Sequence, residues 1–95
     1  MTPAPPTCTP ARDLLTLAIE HGWAAAWAPS TDTSGAPYVT VRAVNRTEEI
    51  RVTWHTHTTG TYRLFSAIAR TDGRNWHDIT LTRAKQLVTT PEQPT

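Results

Sequence analysis

From Pro37 to Trp54 the chain alternates apolar and polar residues with a period of two. Val39, Val41 and Ala43 fall on one side, with Thr40 and Arg42 on the other. After a turn at Asn45-Arg46-Thr47, the residues Ile50, Val52 and Trp54 share a side opposite Arg51, Thr53 and His55. Successive side chains of a strand point to opposite faces, and β-branched and aromatic residues suit that pleated surface. Two such runs joined by a short turn pair antiparallel. A helix, with its period of 3.6, would scatter these apolar residues around its circumference. The segment therefore commits the chain to an antiparallel sheet with one apolar face and one polar face.

The flanking segments add to that sheet and cover it. Thr9 and Pro10 suit a helix start, and Ala11, Leu14, Leu15, Ala18 and Ile19 make one apolar stripe that ends at Gly22, which predicts a helix over about 10–21. Trp23, Ala25 and Trp27 alternate with small residues, which predicts a short strand ending before Pro29. Residues 30–36, STDTSGA, have the composition of a turn. Tyr62, Leu64, Ser66 and Ile68 alternate with Arg63, Phe65, Ala67 and Ala69; the same residues can be written as a helical stripe, but their length and flanking turns favour a strand. Asp72-Gly73 signals a hairpin, with Arg74 to Asp78 as a short fifth strand. A last helix is capped by Thr80 and has Leu81, Ala84, Leu87 and Val88 on its inner side. The predicted fold class is α+β: an antiparallel β meander of four strands, or five if Arg74–Asp78 adds one, with the N- and C-terminal helices packed on one face.

The 95 residues allow one domain. Residues 1–9 form a Pro/Thr-rich leader and residues 90–95 a TPEQPT tail; both have too few apolar side chains to offset the entropy of ordering them, so disorder is expected there and a single domain over 10–89. The net charge is +1, or +2 once Glu92 goes with the tail, well short of the excess that marks an obligate nucleic-acid binder. Eight of the nine basic residues are Arg, which suits phosphate or carboxylate recognition, but the plainer reading is the composition of a GC-rich genome. Cys8, alone in the leader, predicts no internal disulfide, and no stretch of about 18 apolar residues predicts a membrane span. The expectation is a cytoplasmic protein without membrane contact.

The sequence carries no recognisable catalytic pattern. Cys8 and the serines have no adjacent base motif, and no glycine-rich phosphate loop occurs. Glu48 and Glu49 read as solvated charges at a turn. His55 and His57 form an H-x-H pair on one face, too little by itself for a metal site, and are read as solvated surface histidines. No enzyme activity, no metal and no cofactor are expected. If Val39, Val41, Ile50, Val52, Trp54, Leu64 and Ile68 point inward, then Thr40, Arg42, Arg51, Thr53, His55, His57, Arg63 and Phe65 point outward. Arginines for phosphates and an aromatic ring for base stacking are what a nucleic-acid surface requires. The plain alternative is the polar outer face that any open antiparallel sheet must have. Trp54 reads as core; Trp23 and Trp27, on one side of a short strand, are candidates for a protein interface.

The order helix, meander, helix resembles the double-stranded-RNA-binding domain over about residues 10–88. Residues Ser34 to Arg42 (SGAPYVTVR) are similar to that family's entry into its second strand, and Arg83, Ala84 and Lys85 fall near its basic helix start. Leu81 and Thr82 stand where the family has a lysine pair, residues 30–36 contain no His, and at least one extra strand intervenes. The resemblance implies the fold and not RNA binding. Two functions are expected from the residues: a small non-enzymatic protein, of a kind that suits a phage or mobile element, binding nucleic acid through Arg42, Arg51, Arg63, His55, His57 and Phe65; or a protein–protein module, an inhibitor, adaptor or homodimer, using Trp23, Trp27 and a sheet edge.

Overall fold

A computed structural model describes residues 9–31, 33–56 and 62–89. Helix α1 (Thr9–Glu20) is followed by strands β1 (Ala24–Thr31), β2 (Pro37–Asn45), β3 (Glu48–Thr56), β4 (Tyr62–Thr71) and β5 (His77–Asp78), and by helix α2 (Leu81–Thr89). The five strands form one antiparallel sheet in the order β1-β2-β3-β4-β5, a simple meander. Both helices lie on the same face. Leu14, Ala11 and Ala18 of α1 and Ala84 and Val88 of α2 share one buried cluster with Val39, Val41, Ala43, Ile50, Val52 and Trp54. The predicted leader and tail fall on residues 1–8 and 90–95, outside the described residues, except that α1 already begins at Thr9.

The exit from α1 decides where Trp23 goes. Gly22 adopts φ +82°, its N–H donates to Ile19 O (3.1 Å), and Trp23 N–H donates back to Ala18 O (2.9 Å). This paired closure satisfies the last carbonyls and folds the residue after the glycine back against the helix's inner side. Trp23 is accordingly buried, at 6 % exposure, in the cluster with Ala18. The expectation that Trp23 sits on an exposed interface is corrected: its ring belongs to the interior. Trp27 is half-buried and packs against the same cluster.

Two strands differ from expectation in extent. β1 runs through Pro29 to Thr31, because an edge strand needs ladder donors on one side only and tolerates a proline. The Asp72-Gly73 turn forms, with positive φ at both residues and Arg74 N–H donating to Thr71 O (3.0 Å). Only His77 and Asp78 of the predicted fifth strand then pair, opposite Ala69 and Ile68.

β4 is a strand, and its face assignment is the main correction. Trp54 lies opposite Leu64, whereas Thr53 lies opposite Ser66, so Phe65 is an extra residue in a bulge. Beyond it the phase is inverted relative to strict alternation: Ala67 and Ala69 are buried, and Ile68 stands opposite Arg51 on the open face. Alanines on the buried side leave room for α2, which packs there through Ala84 and Val88.

α2 starts as expected. Thr80 Oγ1 accepts the N–H of Arg83 (3.0 Å) and Thr80 O accepts that of Ala84 (2.9 Å), a complete N-cap. Thr80→Ala is expected to cost about 1 kcal/mol, read as a lower urea midpoint with an unchanged slope.

Candidate functional site

The face away from the helices is open, and its residues lie in cross-strand rows. Tyr38 on β2 is opposite His55 on β3, which is opposite Arg63 on β4. The next row is Thr40, Thr53 and Ser66, then Arg42, Arg51 and Ile68, then Val44, Glu49 and Arg70. One end of the face is aromatic, the middle carries hydroxyls, and the other end carries guanidiniums.

At the aromatic end the rings of Tyr38 and His55 stack at 5.7 Å and 16°, and those of His55 and Phe65 at 4.4 Å and 23°. The bulge puts Phe65 in this row, since it turns both Phe65 and Ser66 toward the side of Thr53. Phe65 is 67 % exposed. His55 is half-buried between its two neighbours, so the expectation of a solvated histidine is corrected; His57 lies outside the described residues. Among the described residues no group of three or more His, Cys, Asp or Glu stands together in a way that could hold a metal.

The middle row is tied by a hydrogen bond between the hydroxyls of Thr40 and Thr53 (2.9 Å). A shallow groove of about 640 Å³ passes over it, bounded by Tyr38, His55 and Phe65 at one end and by Arg51 and Ile68 at the other.

The guanidinium end is built on Glu49. Arg42 Nε donates to Glu49 Oε2 (2.6 Å), Arg51 Nε donates to the same oxygen (3.2 Å), and Arg70 donates to Oε1 through Nη2 (2.8 Å) and Nε (3.1 Å). Strand pairing explains the convergence. Arg70 is directly opposite Glu49, Arg51 is two residues along the same strand, and Arg42 is diagonal to it. Arg42 and Arg51 face each other as like charges, and the carboxylate between them offsets the repulsion.

Glu49 is 7 % exposed, which corrects its reading as a solvated charge. The hydrogen bond from Arg42 is the main reason that its carboxyl is lowered from 4.5 to about 2; burial opposes this, and Arg70 reinforces it. The guanidinium carbons of Arg51 and Arg70 also lie 5.0 and 4.6 Å from the ring centre of Trp76, which holds them by cation–π attraction.

Arg42, Arg51, Arg63, His55 and Phe65 thus share one face, but Arg42 and Arg51 meet Glu49 first. Their side chains remain 57 % and 44 % exposed. Tyr38, Arg70 and Trp76 are additions. Tyr38 has the same parity as Thr40 and Arg42 and was legible in the alternation; Arg70 reaches this face only through the bulge, and Trp76 only through the β4–β5 connection. The acids on this face are Glu49 and, at the β5 edge opposite Ile68, Asp78.

No helix of the described residues is long and apolar enough to cross a membrane. No protein-family model, curated protein or solved structure matches the chain.

Proposed function

We propose that this chain is a small binding protein without catalytic activity that holds nucleic acid against its open sheet face. The observation that carries the reading is the shared placement of an aromatic row that ends in exposed Phe65 and the guanidiniums of Arg42, Arg51, Arg63 and Arg70. Bases offer ring faces for stacking, and phosphates accept hydrogen bonds from guanidinium. Glu49 and Trp76 hold three of the arginines in fixed positions, which lowers the entropy lost when a ligand engages them.

The clean test uses Arg63. It is exposed beside His55, whereas reversing the charge at Arg42 would set a second carboxylate against Glu49. Arg63→Glu is expected to weaken binding of labelled oligonucleotides in fluorescence anisotropy and to flatten the log–log salt dependence by about one unit. Its unfolding midpoint should stay within about 0.5 kcal/mol of the parent. No binding by the parent below about 0.1 mM at low salt, weaker than ordinary non-specific association, would overturn the reading.

One observation favours a second reading, a protein–protein module. β1 is a sheet edge of eight residues, AAAWAPST, with no charged side chain. Such an edge is a template for an added strand from a partner protein or a second copy. Of its two proposed tryptophans only half-buried Trp27 lies on that strand. Association through this edge responds little to salt, which separates it from phosphate binding.

A further inference from the structure

We infer that the ligand of the open face is single-stranded nucleic acid, and that an unpaired base stacks on Phe65. This rests on the nucleic-acid reading above and narrows it. Tyr38, His55 and Phe65 overlap ring on ring across three neighbouring strands, and Phe65 ends the row at 67 % exposure. A large apolar ring so exposed at the end of an ordered stack matches the flat face of one more ring. Beside it, β5 pairs only with Ile68 and Ala69, and Ile79 N–H donates to Ala67 O, so the edge of β4 from Tyr62 to Ser66 lies beyond the β5 ladder.

A duplex cannot use this feature. Its bases are already stacked on both faces and present only edges and backbone, whereas an unpaired base can turn a face to Phe65. The chain of such a ligand has a path. From the aromatic row, the groove over Thr40, Thr53 and Ser66 leads to Arg51, about 13 Å away for four residues of strand. Arg63 stands beside the stacked base, and the Glu49-centred arginines meet phosphates at the far end. The bulge at Phe65 makes this arrangement. Strict alternation would give Arg63, Phe65 and Ala67 one face in regular register; the inserted residue instead brings Phe65 against His55.

The test is fluorescence anisotropy with one short sequence, labelled, as a single strand and as a duplex. The parent is expected to bind the single strand at least about tenfold more tightly. Phe65→Ala is expected to weaken single-strand binding by about 5- to 150-fold, the range found for losing one base–aromatic stack, without changing the salt slope, because no phosphate contact is lost. Phe65→Trp keeps a ring at the same place and is expected to retain binding. Equal affinity for both forms, or unchanged binding by Phe65→Ala, overturns this inference and leaves the broader reading standing. Absence of binding to either form overturns both. Should Phe65→Ala lose its far-UV circular dichroism, the comparison of Phe65→Leu with Phe65→Trp decides the role of the ring.

Discussion

Trp54→Ala is expected to destabilise the domain by about 3–5 kcal/mol, the cost of removing a large buried aromatic side chain. Trp54 is 2 % exposed on the central strand β3, opposite Val39 on β2 and opposite Leu64 on β4, which, against expectation, is itself 41 % exposed. Trp54 is the largest of the fully buried side chains, so truncation leaves a cavity in addition to the lost transfer energy. Whole domains are stable by only about 5–15 kcal/mol, and one this small belongs at the lower end. The variant should therefore show a large loss in urea midpoint by circular dichroism. A variant as stable as the parent would mean that Trp54 is not the centre of the core and that the two faces of β3 are exchanged.

Glu49→Gln is expected to cost up to about 3 kcal/mol near neutral pH, the free energy that corresponds to a carboxyl lowered from 4.5 to about 2. The half-exposed side chains of Arg42 and Arg51 let solvent screen part of it. The pH dependence has a definite sign. The folded carboxyl titrates below the unfolded one, so its stabilisation is complete above about 4.5 and is lost as the pH falls through about 2. The glutamine variant lacks this dependence. Stability curves of parent and variant should stand apart at neutral pH and approach each other between about 4.5 and about 2. A constant offset down to the lowest pH would show that the carboxylate charge is not what Glu49 contributes.

The two variants probe the two faces of one sheet, and these faces were unequally legible. The buried face followed from alternation in β2 and β3, where Val39, Val41, Ile50, Val52 and Trp54 leave no second choice of side. In β4 both parities carry apolar residues, Leu64, Ile68 against Phe65, Ala67, Ala69, and pattern alone chose the wrong one beyond the bulge. Size mattered more than hydrophobicity there, because the buried side lies against a helix and takes alanines. Arg42, Arg51, Arg63 and Phe65 were recognisable as members of the open face. That Glu49 would gather three arginines was not, although Glu49 and Arg51 share a face by period two, because Arg70 joins them only in the inverted phase of β4.

By itself the sequence determined the element types, their order and where the helices begin and end. Thr80 caps α2 and Gly22 ends α1 for reasons confined to a few neighbouring residues, and the antiparallel meander follows from short turns between alternating runs. Tertiary structure decided what becomes of groups whose local pattern is neutral. Trp23 turned inward because the helix cap carries it back onto Ala18, and Phe65 joined an aromatic row because β4 carries it as one extra residue opposite the step from Thr53 to Trp54. Glu49 became buried because charges distant in sequence meet across strands. Local propensity is set by interactions within a few residues, whereas burial and pairing depend on the partner strand, whose register no single segment contains.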